Sequence, residues 1–135
     1  MSETASSYSL STATTLGFDA AVERVREELK AEGFGVLSEI DVQATLKQKL
    51  DVDRDRYVIL GACNPSLAHH ALEAEPELGV LLPCNVVVYE AGGETRISAV
   101  DAERMLSIVD NDELGPTATE VRTRLARVVE RVATV

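Results

Sequence analysis

Apolar residues recur at spacings of three and four from Phe18 through Ala21, Val22 and Val25 to Leu29, with Glu23, Arg24, Arg26, Glu27, Glu28 and Lys30 in the intervening positions. That period predicts an amphipathic helix, and Gly33 just beyond it is the residue type that ends a helix in left-handed conformation. The same period returns near the C-terminus, where a long helix starts at Gly115-Pro116-Thr117 and buries Ala118, Val121, Leu125, Val128, Val129 and Val132. Arg124, Arg127 and Arg131 then face solvent, and the late arginines suit the helix C-terminal dipole. Between these helices the pattern shifts toward alternation and short continuous runs. Tyr8 to Thr14 alternates weakly and reads as a half-exposed first strand, Phe34 to Ile40 as a second, and the nearly continuous apolar run Tyr57 to Cys63 as a buried central strand. A strand through Tyr89 is joined by Ala91-Gly92-Gly93 to Glu94–Val100, which predicts an antiparallel hairpin.

Capping residues place the shorter helices. Asp41 heads one that carries Val42, Leu46 and Leu50, and Asp101 heads another around Met105, Leu106, Ile108 and Val109. Asn64 as N-cap with Pro65 at the first helical position starts a helix running to about Glu75, with Leu67, Ala68, Ala71 and Leu72 facing inward and Pro76 ending it. An apolar connector, Gly79 to Pro83, leads into the hairpin. The mixture of βαβ-like steps with one firm antiparallel pair predicts an α+β, two-layer sandwich. Residues 1–5 are small and polar and read as a disordered tail, leaving 6–135 as a single domain with one core. The first strand or the hairpin is expected to leave a sheet edge able to pair across a two-fold.

The net charge of -10 and pI near 4.6 exclude phosphate backbones and anionic membrane surfaces as partners, because both demand concentrated positive charge. Only Lys30, Lys47 and Lys49 are lysines, so acidity comes with a preference for arginine, a composition resembling that of proteins from a salt-loaded cytosol. With 4% aromatic residues and no Trp, stacking platforms are scarce. No apolar run approaches the roughly 20 residues needed to span a bilayer, and the N-terminus shows no secretory signal. A cytoplasmic setting with reduced thiols is the expectation.

Three blocks carry a resemblance. Gly33-Phe34-Gly35-Val36-Leu37-Ser38-Glu39-Ile40-Asp41-Val42-Gln43-Ala44-Thr45-Leu46, then Ile59-Leu60-Gly61-Ala62-Cys63-Asn64-Pro65, then Leu81-Leu82-Pro83-Cys84-Asn85-Val86 closely resemble the prokaryotic family called domain of unknown function 302. The likeness runs from about Phe18 to the final helix. It implies a curved, antiparallel-rich sheet of about five strands packed against helices, and a homodimer. It implies no reaction.

One constellation offers chemistry. Cys63 ends a strand directly before a helix N-terminus, where backbone N–H groups and the dipole favour a thiolate, and Cys84 begins a neighbouring strand. If the strands are adjacent, Cys63, Cys84 and His69 or His70 form a soft site for Zn or Cu(I), or the two cysteines cycle through a disulfide. Against this, the cysteines lie 21 positions apart with no C-x-x-C, the spacing of ordinary buried residues. Adjacent histidines point about 100° apart on a helix, so at most one faces a pocket, and His69 with Glu73 makes an ordinary surface pair. Asp51-Val52-Asp53-Arg54-Asp55 lacks the glycine and distal Glu of a calcium loop. No G-x-S-x-G motif is present, Gly92-Gly93 is followed by a strand rather than a phosphate-binding helix, and Glu39 and Asp41 suit a solvated strand edge better than acid–base work. No catalytic set emerges. The leading expectation is a homodimeric binding or sensing domain without a resident cofactor. Its small-molecule pocket lies beside the Cys63-Asn64-Pro65 turn and Cys84-Asn85. The alternatives are a thiol-redox or Zn/Cu-handling protein using Cys63 and Cys84, and a protein interaction module.

Overall fold

The computed structural model describes residues 4–5 and 7–133. Its centre is a sheet of six strands, β1 (Thr4–Ala5), β2 (Ser9–Thr14), β3 (Gly35–Asp41), β4 (Tyr57–Cys63), β5 (Cys84–Ala91) and β6 (Glu94–Val100), all paired antiparallel in the order β1-β2-β6-β5-β4-β3. The described residues also form five α-helices, α1 (Phe18–Ala31), α2 (Val42–Leu50), α3 (Pro65–Ala74), α4 (Ala102–Leu106) and α5 (Gly115–Ala133), with short 3-10 helices over Pro76–Leu81 and Asp112–Leu114. The α+β sandwich expected from the pattern is therefore the fold, with β1 a two-residue addition to the five strands foreseen.

Side chains of a strand alternate between the two faces of its sheet. Leu10, Val58, Leu60, Ala62, Cys84, Val86, Val88, Ile97 and Ala99 all point to one face, where α1 contributes Ala21, Val22, Val25 and Leu29 and α5 contributes Val121, Leu125, Val128, Val129 and Val132. The helical stripes read from the sequence are the ones buried. A second, smaller cluster of Ala71, Leu78, Leu106, Leu114 and Ala118 lies under α3, a 3-10 helix over Pro76–Leu81, and the start of α5. Leu82 and Met105 pack against both clusters and form the seam between them.

Caps fall where the sequence placed them. Asp41 accepts the Ala44 N–H at 2.9 Å, Asn64 accepts the Leu67 N–H at 3.2 Å, and Asp101 accepts those of Glu103 and Arg104 at 3.1 and 3.3 Å. Gly33 sits at φ 87 after α1, a conformation that costs a side-chain-bearing residue about 1–2 kcal/mol.

Several expectations are corrected. Leu72 is exposed rather than inward, because α3 buries only a narrow face against the small cluster, and α4 ends at Leu106, short of the expected Ile108 and Val109. The apolar connector before β5 is the 3-10 helix, which buries Leu78. The hairpin β5–β6 lies at the centre of the sheet; β1 pairs with β2 only at Leu10 and Ser11, and β3 forms the other edge of the sheet. Of the residues read as a tail, Thr4 and Ala5 pair with Ser11 and Leu10, while residues 1–3 lie outside those described. Arg124, Arg127 and Arg131 do not merely face solvent: they converge on Glu32.

Candidate functional site

The Asn64 side chain is buried because β4 delivers it straight into the α3 N-terminus, where it caps the helix. A Cβ on Gly33 would stand 2.9 Å from Asn64 Nδ2 and 3.2 Å from Arg124 Nη1, so the turn after α1 closes directly onto this cap. That turn is held by Glu32. Its carboxylate accepts two bonds from Arg127, Nε at 3.0 Å and Nη2 at 2.9 Å, and one from Arg131 Nη1 at 3.0 Å, while its backbone carbonyl accepts from Arg124 Nη1 at 3.0 Å. The bidentate Arg127 bond, reinforced by the neighbouring arginine charges, holds the Glu32 carboxyl below its ordinary value against the opposing effect of burial. Sequence reasoning missed this clamp because Glu32 follows the last apolar residue of α1 and looks like one more solvated acid.

Cys63, Asn64 and Cys84 line one cavity of about 40 Å³ between α3, α4, α5, the end of β4 and the start of β5. Its walls are apolar, with Leu67, Leu78, Leu82, Met105 and Val121 among them. β4 and β5 are neighbours and Ala62 stands opposite Cys84, so Cys84 shares the core face with Ala62 while Cys63, one residue on, points to the opposite face and borders the cavity from the strand end. Both thiols are free, Cys63 half-buried and Cys84 buried. Burial first, and then the nearby Cys63, push the Cys84 thiol from an ordinary 9.0 up to about 11. His69 and His70 are exposed and are not among the cavity's walls. Among the described residues no group of three or more His, Cys, Asp or Glu side chains is arranged to hold a metal ion.

Asn85, one residue on, points the other way. It lies on the sheet face opposite α1 and α5, in a groove of about 490 Å³ walled at one end by Leu81, Pro83 and Met105. Pro83 and Met105 border both spaces, so they separate the groove from the cavity. Gly61 makes the close approach possible: a Cβ there would run into Ser38 Oγ and stand 2.9 Å from Pro83 Cγ.

The groove is distinctive in chemistry. Tyr8, Tyr57 and Tyr89, the three tyrosines of the chain, all line it, and the rings of Tyr57 and Tyr89 stack with centroids 5.4 Å apart. Ser11 Oγ lies 2.6 Å from Ser98 Oγ and 3.3 Å from Ser9 Oγ, a hydroxyl ladder across β2 and β6. None of the described side chains lining it is charged, in a chain of which 27% is charged. Arg54, over the Tyr57 ring at 5.0 Å, and Arg96, bonded to Tyr89 and Glu94, stand outside that lining. Each serine and tyrosine is unremarked in one dimension. For Ser9 and Ser11, and for Asn85, Val87 and Tyr89, the signal in the sequence is shared parity within a strand, which becomes legible once the strand register is known.

The acidic candidates are otherwise engaged. Glu39 pairs with Arg26 and Asp41 caps α2, while Asp51 and Asp53 accept from Lys47 Nζ at 2.8 and 3.1 Å.

A six-stranded antiparallel sheet with helices on one face and an open groove on the other defines an α+β domain of open-faced type. The chain belongs to the family described as "Domain of unknown function DUF302", whose model matches residues 10–132. It is similar in structure to a solved protein described as "uncharacterized conserved protein DUF302 from Bacillus stearothermophilus", with a TM-score of 0.87 and 32% sequence identity over 92% of this chain and 97% of that one. A search of curated proteins returns no match.

Proposed function

We propose that the chain is a small binding domain whose ligand occupies the groove on the open sheet face. The observation that carries this reading is the groove's neutral, hydroxyl-rich and tyrosine-bearing lining within a strongly acidic protein. At about 490 Å³ it has the volume of ordinary small-molecule sites, which run from roughly 300 to 1,000 Å³. An uncharged occupant matches it, with an apolar surface for Tyr57, Tyr89 and Val87 and hydrogen-bonding groups for the serines and Asn85. A charged ligand would lose hydration without gaining a counter-charge. Of the expected ligand contacts, Asn85 belongs to this groove, and Cys63, Asn64 and Cys84 to the cavity behind Pro83. Thiol-redox chemistry is the weaker reading, because the buried Cys84 stays protonated near neutral pH and protonated thiols do not attack disulfides. Intrinsic emission tests the proposal: with no Trp in the chain, tyrosine fluorescence reports the groove, and a library of neutral aromatic and polyhydroxylated compounds should contain molecules that shift it saturably.

The reading includes a homodimer, formed through β3 by a second copy of the chain. β3 is exposed along almost its whole length, Leu37 and Ile40 are 71% and 47% exposed, and α2 beside it buries no residue. Free edges of this kind pair antiparallel about a two-fold, because the edge is its own complement. Light scattering on wild type and Ile40→Lys tests this: a dimer that becomes monomeric is expected, and a wild-type monomer at high concentration contradicts it. A reducing, cytoplasmic setting belongs to the same reading and suits the two free thiols.

A further inference from the structure

Thr117 is 5% exposed and lines the cavity at the seam of the two hydrophobic clusters, yet its hydroxyl makes no hydrogen bond among the described residues. A hydroxyl this deep normally has a partner, and in a helix the usual one is the backbone carbonyl four residues back. Here Thr117 is the third residue of α5, and four residues back is Glu113, in the separate 3-10 helix over Asp112–Leu114. A buried hydroxyl without a partner costs stability until a bound group satisfies it. We propose that the cavity is a binding site for a short-chain alcohol, a compact apolar body whose single hydroxyl pairs with Thr117 Oγ1.

Size sets the length of the chain. The space is about 40 Å³, against roughly 10–15 Å³ for one water and about 150 Å³ for a cavity that takes benzene, so it holds a molecule of about two or three non-hydrogen atoms. Chemistry sets the rest. Leu67, Leu78, Leu82, Met105 and Val121 supply apolar wall, and no charged side chain is among the described residues that line the cavity, so an ionised occupant would lose its hydration uncompensated. Water is a poor occupant for the converse reason. Apart from Thr117 and Asn64, the lining side chains offer only carbon and sulfur, fewer partners than the three hydrogen bonds or so that a buried water makes. Half-buried Cys63, Ala68 and Pro83 also belong to the lining, so the space is not sealed inside the core. No bond forms or breaks beyond one hydrogen bond, which the Thr117 hydroxyl can donate or accept.

The site does not depend on the groove, and ethanol, with three non-hydrogen atoms, is the probe. Titrated into the full chain labelled at its methyl groups, it should shift the resonances of Leu78, Met105 and Val121 saturably. Those of Leu10 and Val88, in the main core but outside the lining, should stay still. The dissociation constant should lie in the millimolar range and no tighter than about 0.5 mM, the ceiling for so small a ligand. Cyclohexanol, too large for the space, should produce no such shift. Thr117→Val keeps the shape and removes the hydroxyl: without ethanol it should raise the urea midpoint, and it should weaken ethanol by roughly 2–10-fold, the scale of one hydrogen bond. Ala71→Leu, which fills the cavity, should abolish binding, with circular dichroism confirming its fold. Nuclear Overhauser contacts from the ethanol methyl to Leu78 and Val121 in the wild type give a readout that needs no variant. No saturation at ten times the expected concentration, contacts from water alone at Thr117, unchanged affinity in Thr117→Val, or a lowered urea midpoint in that variant would each overturn the assignment.

Discussion

Replacing Glu32 by Gln keeps the shape of the side chain and removes the charge on which Arg127 and Arg131 converge. In the native fold the carboxylate is 8% exposed and accepts three charge-assisted hydrogen bonds at 2.9–3.0 Å. Bonds to charged groups contribute about 1.5–3 kcal/mol each, yet the three are not additive, and the Arg127 and Arg131 side chains, 42% and 48% exposed, regain water when released. Breaking a fully buried pair costs about 3–5 kcal/mol, so a loss of about 2–3 kcal/mol is the expectation here. For a chain of this length that corresponds to a drop in melting temperature of roughly 6–12 °C, or to a shift of about 1–1.5 M in urea midpoint at an m value near 2 kcal/mol/M. The pH dependence has a definite sign. The folded-state value of Glu32 lies below its ordinary 4.5, so its stabilisation is fully present above pH 4.5 and is lost as pH falls through the folded value. Urea unfolding of both proteins at pH 7 and at successively lower pH should therefore show a gap that narrows in acid. A gap under about 0.5 kcal/mol at pH 7, or one that persists undiminished in acid, refutes the clamp as a stabilising device.

Three further outcomes follow from the same geometry. Gly61→Ala should cost about 1–3 kcal/mol in denaturant unfolding, because the stiff Pro83 ring stands 2.9 Å from the new Cβ and can give less easily than the Ser38 hydroxyl; a neutral result would mean that the sheet yields there. Asn64→Ala should lose about 1 kcal/mol of stability with the α3 cap, and Asn64→Asp, which retains the acceptor, should recover most of it. The Cys84 thiol, at about 11 in the fold against an ordinary 9.0, contributes stability that is complete below pH 9 and lost as pH rises to 11, at most about 2–3 kcal/mol at 1.36 kcal/mol per unit. Cys84→Ala should lack that alkaline loss in urea titrations at pH 8 and 10.5, and an equal loss in the variant would assign it to other groups.

The elements were legible because the forces that set them are local. The stripes of α1 and α5, the caps at Asp41, Asn64 and Asp101, and the glycines at Gly92 and Gly93 that turn β5 into β6 act within a few residues and leave a period or a residue type behind. Strand order was not legible, since nothing in Glu94–Val100 declares that its second neighbour is β2 rather than solvent. The same limit hid the chemistry. Cys63 and Cys84 could be suspected of meeting because both flank turns at the ends of strong strands, and both border one cavity, yet the register sets Ala62 rather than Cys63 opposite Cys84. Asn85 follows Cys84 in sequence but faces the opposite side of the sheet, as strand alternation requires. Met105, the groove serines and the Glu32 clamp depend on contacts between elements far apart in the chain, for which a single sequence carries no spacing.

If the open sheet face is the binding surface, tyrosine emission of the full chain reports it, since all three tyrosines line the groove. Screened against neutral aromatic and polyhydroxylated compounds, the wild type should show saturable changes in emission with at least one of them, abolished by Ser98→Arg, which places a charge in the groove while leaving the core face untouched. Emission that responds to none of the compounds, or a response that survives Ser98→Arg intact, would contradict the claim.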